Sequence, residues 1–190
     1  MSATATAGAA EAAARVIARA EAIVRDPRLE AVRDWQRREG RLAVGSMPVY
    51  APREVLWGQG VLPVGLMGAG EELEIIRGDA YYQSYICHIP RSTIELGLNG
   101  ALDCLDGMLF PAICDVIRNL SGVWKLEFPG KLVRYLDVPQ DFDPGMGGEF
   151  YRRELEDLSL ALVARGAALL EDGRLRASIR AYNENRRLVR

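Results

Sequence analysis

Cysteine, histidine and net charge are all scarce in this 190-residue sequence. It contains three cysteines and one histidine, and its 24 basic and 26 acidic residues leave a formal net charge of −2. An odd and small number of cysteines, with no sign of secretion, does not predict a disulfide framework. The near-neutral charge gives no general electrostatic reason to expect nucleic acid as a partner.

Long apolar runs and export signals are missing as well. The longest apolar run, from Val55 to Gly70, is broken by Gln59, Pro63 and several glycines. It therefore cannot form the apolar helix of about 20 residues that spans a bilayer. Residues 1–10 lack the basic and apolar regions of a secretory signal. We expect a cytoplasmic chain with reduced thiols and no membrane association.

The remaining composition is that of an ordinary globular domain. Hydrophobic residues make up 49% and charged residues 26% of the chain, which excludes wholesale disorder. Residues 9–38 have apolar side chains at helical spacing, interrupted near Pro27. This pattern predicts two solvated amphipathic helices, the second opened by Pro27, within an N-terminal helical segment over residues 1–40.

From residue 41 onward, strand patterns alternate with helix patterns. The predicted strands cover residues 41–48, 61–67, 105–110 and 133–138, and the predicted helices cover residues 52–59, 90–98, 115–125, 148–170 and 175–190. Such alternation predicts an α/β fold with a parallel sheet flanked by helices, of the flavodoxin or Rossmann type. We assign residues 41–173 to this α/β domain and residues 174–190 to a C-terminal helix.

Two of the cysteines fall where ligands bind to parallel sheets, beyond the carboxyl ends of the strands. Cys114 follows a predicted strand and precedes a predicted helix, and Cys87 lies just before the helix that Pro90 opens. A helix N-terminus favours a thiolate, so both residues are candidate metal ligands. The alternative is that each is a small buried hydrophobe. Cys104 precedes a strand, and packing at the opposite end of the sheet is the better interpretation for it.

Other chemical motifs are weak. A nucleophilic Cys87–His88 pair would need a carboxylate to orient the histidine, and none is obviously placed for this. A Cys/Cys/His zinc site would need the close cysteine spacing of structural zinc sites, which this sequence lacks. Residues 65–70 contain glycines but no dinucleotide or P-loop motif. Residues 174–190 carry six arginines and one glutamate, which form either a solvated helix face or a phosphate-binding patch.

Five segments carry a resemblance to a known family. They are residues 45–54 (GSMPVYAPRE), 78–95 (GDAYYQSYICHIPRSTIE), 105–119 (LDGMLFPAICDVIRN), 134–139 (RYLDVP) and 181–187 (AYNENRR). Together they resemble the 2-hydroxyacyl-CoA dehydratase / benzoyl-CoA reductase family, and they are most similar to its benzoyl-CoA reductase subunits of the C type. The resemblance extends over about residues 40–190.

The resemblance implies a fold, a cofactor and partners. The resemblance implies an architecture of two flavodoxin-like domains with an iron–sulfur cluster between them. The cysteines that match Cys87 and Cys114 bind a [4Fe–4S] cluster there, and a third ligand comes from the second half of the chain. The implied partners are another catalytic subunit, actin-like ATPase activator subunits that use ATP, and ferredoxin as electron donor. The implied reaction reduces the ring of benzoyl-CoA to a cyclic dienoyl-CoA.

The alternatives to a reductase subunit are a 2-hydroxyacyl-CoA dehydratase subunit, which is a lyase, and a cluster-free remnant that only docks to a partner. Ser46, Tyr50 and Arg91 lie near the predicted cleft and are candidate substrate-binding residues. Their alternative interpretations are, in order, a turn residue, a core aromatic residue and a surface charge at a helix start. Family members are about twice as long, so we expect a fragment that leads into a second domain and is inactive alone.

Overall fold

A parallel sheet with helices on both faces forms the centre of the computed structural model. The structure describes residues 3–70 and 73–190. The strands are β1 (Ala43–Ser46), β2 (Leu62–Gly65), β3 (Gly107–Pro111) and β4 (Leu132–Leu136). The helices are α1 (Ala3–Val24), α2 (Glu30–Glu39), α3 (Arg53–Gly58), α4 (His88–Leu98), α5 (Asp115–Glu127), α6 (Glu149–Val163) and α7 (Asp172–Val189). The predicted α/β class is therefore confirmed.

The strand order is β2-β1-β3-β4, and every pair is parallel. The chain first moves from β1 outward to β2, and then crosses back to β3 and continues to β4. Because parallel crossovers are right-handed, this reversal places the following helices on opposite faces of the sheet. The order is that of flavodoxin-like sheets, in which the reversal lies between β1 and β3.

Each face of the sheet has its own buried core. On one face, Ile94 of α4 and Leu120 and Trp124 of α5 pack with Met108 and Phe110 of β3. The members of the core on the other face are Val44, Leu56, Val61, Leu109, Leu158 and Leu162. Consecutive residues of β3 therefore serve both cores, which explains why its sequence is apolar throughout instead of alternating.

Gly107 allows β3 and β4 to approach closely. A Cβ at this position would lie 2.7 Å from both the Cβ and the carbonyl oxygen of Leu132. Glycine is therefore the residue that fits at the start of β3, because a side chain would push against the backbone of the neighbouring strand.

The N-terminal helices differ in their surroundings. From Ala10 onward, the described side chains of α1 are exposed. Helix α2 packs against the amino edge of the sheet, where Arg33 donates to the Ala101 carbonyl and Gln36 to the Cys104 carbonyl. None of the described helices is long and apolar enough to cross a membrane.

The prediction that Pro27 opens the second helix is wrong. Helix α2 begins at Glu30, after Leu29 in the left-handed conformation. The Asp26 carboxylate accepts hydrogen bonds from the amides of Arg28 (2.9 Å) and Glu30 (2.6 Å). Asp26 therefore stabilises a turn between the helices, and Pro27 lies inside that turn.

The predicted helix over residues 148–170 is too long. Helix α6 ends at Val163, and Gly166 adopts a left-handed φ of 98°. Buried Gln59 holds the chain that follows, because its side-chain amide donates to the carbonyls of Ser159 (3.1 Å) and Ala168 (3.0 Å). The helix also ends locally at Gly166, since the amides of Gly166 and Ala167 donate to the carbonyls of Val163 (2.9 Å) and Leu162 (3.0 Å).

Candidate functional site

The direction of the sheet reverses between β1 and β3, and the chain leaves these two strands toward opposite faces. β1 ends at Ser46 and the adjacent β3 ends at Pro111. Helix α3, which follows β1, packs on one face, and α5, which follows β3, packs on the other. In open parallel sheets, this position outside the carboxyl ends of the strands is the usual ligand site.

Cys114 and Cys87 each precede a helix at this edge. Cys114 is the N-cap residue of α5, and Cys87 is the N-cap residue of α4. Both cysteines are exposed, and the side chain of neither accepts a hydrogen bond from the helix that follows it. Because Pro90 is the third residue of α4, His88 and not Pro90 begins that helix.

The helix starts give the two thiols similar electrostatic surroundings. The first N–H groups of a helix lack partners within the helix, and they carry the positive end of its dipole. Two adjacent helices, α4 and α5, present such ends beside a cysteine. Their contact is close, since a Cβ at Gly97 of α4 would lie 2.7 Å from the ring of Trp124 in α5. Each sulfur therefore lies beside the first N–H groups of a helix.

Arg91 fixes the segment that leads to Cys87. Its guanidinium donates from Nη2 (2.6 Å) and Nε (2.8 Å) to one carboxylate oxygen of Asp79. It also donates to the carbonyl oxygens of Ser84 and Ile86. Arg91 therefore connects the first turn of α4 with residues 79–86, and these hydrogen bonds all go to a segment of its own chain.

The buried carboxylate of Glu95 holds the start of the same segment. It accepts hydrogen bonds from the amides of Ile76 (3.0 Å) and Gly78 (2.7 Å). Arg91 and Glu95 lie four residues apart on α4, so both reach the same side of the helix. The connection before Cys87 is thus anchored at its two ends by one helix.

Tyr82 is a residue near Cys114 that the sequence interpretation did not single out. Its hydroxyl oxygen is buried and has no hydrogen-bond partner within the described chain. Burial raises the pKa of Tyr82 to about 12, and the negative charge of a Cys114 thiolate adds to this shift. The phenol therefore keeps its proton and remains a free donor beside the candidate site. Tyr82 lies in the family-like segment of residues 78–95, just before Cys87, and this position was the signal that could have identified it.

Ser46 and Tyr50 lie at the end of β1 and in the loop after it. Ser46 is buried, whereas Tyr50 is 56% exposed, so the interpretation of Tyr50 as a core aromatic residue is wrong. Val49 and Tyr50 both have positive φ, at 69° and 55°. Left-handed backbone is unfavourable for β-branched valine and typical of constrained loops at functional sites.

Cys104 lies away from this edge. It occupies the turn before β3, at the amino edge of the sheet, as the sequence predicts. Its carbonyl accepts a hydrogen bond from Gln36 at 2.9 Å. Burial is the main cause that raises the pKa of its thiol. Cys104 is therefore a protonated packing residue at neutral pH.

The described residues contain no group of three or more His, Cys, Asp or Glu side chains that could hold a metal ion. The carboxyl edge has the exposed thiols of Cys87 and Cys114 and the buried hydroxyl of Tyr82, which has no partner among the described residues. Thiolates are the ligands that iron–sulfur clusters require, usually three or four of them. The donor types thus fit part of a cluster site, and this part of the chain supplies at most two thiolates to it.

Comparison with known proteins identifies the family. The family model described as 2-hydroxyglutaryl-CoA dehydratase, D-component, matches residues 48–190. The chain belongs to this family. The match covers β2 to β4, both exposed cysteines and α7, so it includes the candidate site from Pro48 onward.

Subunits of related enzymes are similar to this member of the dehydratase family. The chain is 55% identical over 177 residues to the C-type subunit of benzoyl-CoA reductase of Thauera aromatica, covering 93% of the chain and 46% of that relative. It is 31% identical over 161 residues to the beta subunit of lactoyl-CoA dehydratase of Anaerotignum propionicum, covering 85% and 42%. It is 29% identical over 149 residues to the beta subunit of (R)-2-hydroxyglutaryl-CoA dehydratase of Acidaminococcus fermentans, covering 78% and 39%.

The chain spans less than half the length of each of these relatives. All three are subunits of enzymes named for CoA thioesters, and the predicted family resemblance is confirmed.

Proposed function

We propose that this chain is part of a catalytic subunit of a benzoyl-CoA reductase, and that Cys87 and Cys114 bind a [4Fe–4S] cluster together with a ligand from elsewhere. The 55% identity to the C-type subunit of a benzoyl-CoA reductase supports the reaction class. The placement of both exposed cysteines before helices at the reversal point of the sheet supports the ligand assignment.

The reaction adds two electrons and two protons to the aromatic ring of benzoyl-CoA and forms a cyclic dienoyl-CoA. When bound, a cluster would supply electrons at low potential to this ring. A benzene ring accepts electrons only from a strongly reducing centre, so water must be kept out and the added charge must be stabilised. ATP-dependent activator subunits and reduced ferredoxin are the proposed source of these electrons.

The residues of this chain would act through position and charge. The α4 and α5 N-termini stabilise negative charge at Cys87 and Cys114. Arg91 and Glu95 hold the segment before Cys87, which fixes the position of that sulfur relative to α4. The free hydroxyl of Tyr82 can donate a hydrogen bond to a sulfur atom or to substrate at the carboxyl edge of the sheet. Ser46 and Tyr50 stay our proposed substrate contacts at the end of β1.

A 2-hydroxyacyl-CoA dehydratase subunit is the second candidate function. The family model and two of the relatives described above carry this activity in their names. Both candidates use a CoA thioester and the same cysteines, so the substrate must distinguish them. The higher identity to the reductase relative, 55% against 31% and 29%, favours the reductase.

The test is to produce the chain anaerobically together with the remaining subunits of a benzoyl-CoA reductase. Iron and acid-labile sulfide are then measured for the wild type and for the variants Cys87→Ala, Cys114→Ala and Cys104→Ala. We expect the first two substitutions to lower the iron and sulfide content by the amount of one [4Fe–4S] cluster and the third to leave both unchanged. Iron content that is insensitive to Cys87→Ala and Cys114→Ala would overturn the ligand assignment.

The substrate is tested on the same preparations. Formation of a dienoyl-CoA from benzoyl-CoA with ATP and reduced ferredoxin supports the reductase. Water loss from 2-hydroxyacyl-CoA thioesters, without turnover of benzoyl-CoA, would replace the reductase by the dehydratase. A complex that assembles and has the same iron content with wild-type chain as with the Cys87→Ala and Cys114→Ala variants would instead identify the chain as a cluster-free docking remnant.

A further inference from the structure

A concave site lies at the amino edge of the sheet, at the edge opposite Cys87 and Cys114. Its volume is about 420 Å³. It is formed by the residues before β1, the α3–β2 turn, the segment after α6 and the start of α7. The lining residues that matter here are Gly40, Arg41, Gln59, Gly60, Arg165 and Arg174. We name it the arginine groove.

Two guanidinium groups converge over Gly60. A Cβ at this position would lie 3.4 Å from Nη2 of Arg174 and 3.5 Å from Nη1 of Arg41. Gly60 has a left-handed φ of 76° and leaves this space open. Arg165 lines the same groove, and a 2.7 Å hydrogen bond from its Nη1 to the Gly130 carbonyl orients it. Residues far apart in sequence thus bring three positive charges to one depression.

These charges are not neutralised by carboxylates of the described chain. The groove has no aspartate or glutamate among its described lining residues. Two acidic residues near the groove in sequence have other partners, since Glu39 lies 3.9 Å from Arg38 and Asp172 lies 4.0 Å from Arg176. Guanidinium groups placed together without counter-charges attract a multiply charged anion.

Gln59 provides an independent sign of a ligand. Its side chain is 1% exposed, and both hydrogen bonds from its Nε2 go to the protein backbone. Its Oε1 is buried and has no partner among the described residues. A buried acceptor without a donor costs free energy that a ligand donor would recover. Gln59 is one of the residues that line the groove, so this unsatisfied acceptor lies in its wall.

We propose that the arginine groove binds closely spaced phosphate groups of a small molecule. Arginine pairs with phosphate through two parallel hydrogen bonds, and three such groups match the charge of a diphosphate better than that of a single carboxylate. The depression has the size of a small-molecule site. Because it lies at the opposite edge of the sheet from Cys114, this site is separate from the proposed cluster site and does not depend on it.

The proposal is tested by direct binding to the 190-residue chain. Inorganic pyrophosphate, inorganic phosphate and coenzyme A are the probes, and isothermal titration calorimetry gives the dissociation constants. The test variant is Arg41→Ala/Arg174→Ala. The control variant is Arg19→Ala/Arg180→Ala, which removes the same charge from exposed positions on α1 and α7 outside the groove.

We expect saturable binding of pyrophosphate, with weaker binding of phosphate. The test variant should lose on the order of 10-fold in affinity for each guanidinium removed, as charge-assisted hydrogen bonds imply. The control variant should bind like the wild type. If pyrophosphate and coenzyme A both depend on Arg41 and Arg174, the site accepts a carrier-bound diphosphate. If only pyrophosphate does, the ligand is a free diphosphate.

Three results would overturn the proposal. The first is the absence of saturable pyrophosphate and coenzyme A binding at millimolar concentration. The second is equal loss of affinity in the test and control variants, which would mean a general charge effect. The third is unchanged affinity in the test variant, which would place binding elsewhere. The guanidinium groups of Arg41 and Arg174 form no hydrogen bond or ion pair with a described residue, so their removal should leave the fold intact.

Discussion

Asp79 binds Arg91 through one carboxylate oxygen, and this pair joins the connection before Cys87 to the first turn of α4. The arginine side chain is 16% exposed, and it also reaches the Ser84 and Ile86 carbonyls. A residue predicted as a substrate contact thus makes contacts that organise the loop leading to a proposed cluster ligand. Substrate binding by Arg91 stays a prediction.

Arg91→Ala should lower the free energy of unfolding by about 1–2 kcal/mol, because it leaves two carbonyls and a carboxylate without their donor. Hydrogen exchange should become faster in residues 78–86. The matched control is Arg77→Ala, since Arg77 makes a single exposed hydrogen bond to the Leu98 carbonyl. Equal exchange in residues 78–86 of the two variants would contradict the anchoring role.

The three cysteines of the metal-free chain should react at different rates with iodoacetamide. Cys87 and Cys114 are exposed, whereas Cys104 is partly buried and burial raises the pKa of its thiol. Since the thiolate is the reacting form, we expect Cys104 to react at least about 10-fold more slowly. Timed alkylation followed by peptide mass spectrometry measures this. A Cys104 rate equal to the other two would contradict its assignment as a packing residue.

Gly107→Ala should destabilise the sheet. The added Cβ would meet the backbone of Leu132 at 2.7 Å, which the neighbouring strand cannot relieve without moving. We expect a loss of roughly 2–3 kcal/mol in the free energy of unfolding, as for other overpacked cores. Urea denaturation measures it.

Gly122→Ala is the matched control for this substitution. Gly122 lies on the exposed side of α5, and a Cβ there would meet nothing within 4 Å. Alanine should stabilise the helix by about 0.5–1 kcal/mol. Equal effects of the two substitutions would show that the close approach of β3 and β4 is not the cause.

Glu149 should make stability depend on pH in the acid range. Hydrogen bonds from Arg152 and Arg153 lower the pKa of Glu149 from 4.5 to about 2. A carboxyl whose pKa is lower in the folded state contributes stability above its unfolded pKa, and this contribution is lost as the pH falls from about 4.5 to 2. Salt should weaken the effect, because the group is accessible to solvent.

Glu149→Gln should therefore be less stable than the wild type near neutral pH, and the difference should disappear toward pH 2. Urea midpoints across this range measure the difference. Glu11→Gln is the control, because Glu11 pairs with a single arginine, Arg15, on exposed α1. A difference for Glu149→Gln that persists unchanged down to pH 2 would contradict the role of the ion pair.

Much of the sheet, and the edge of the sheet at which each cysteine lies, could be predicted from the sequence. Apolar segments such as residues 105–110 carry their own signal, because a strand buried on both faces needs apolar side chains at every position. Helix starts beside Cys87 and Cys114 follow from the same alternation. Cys104 precedes β3 in the chain, so its place at the amino edge needs no tertiary information.

Two local features differ from the sequence prediction. Helix α6 ends at Val163 because Gly166 caps it in left-handed backbone, a local signal that the prediction missed, and Gln59 holds Ala168 in the chain that follows. The exposed position of Tyr50 follows from a left-handed backbone after β1, which valine and tyrosine rarely adopt.

The amino-acid sequence by itself determines the succession of strands and helices along the chain, because this follows from side-chain periodicity. It also determines which cysteines reach the carboxyl edge, because this follows from chain direction. Three other relationships emerge only when the chain is folded. The Tyr82 hydroxyl is buried near Cys114, Arg91 binds its own loop, and Arg41 and Arg174 meet over Gly60. These contacts join side chains to groups outside their own helix or strand, and their energies arise from packing and charge at distances that no local pattern records.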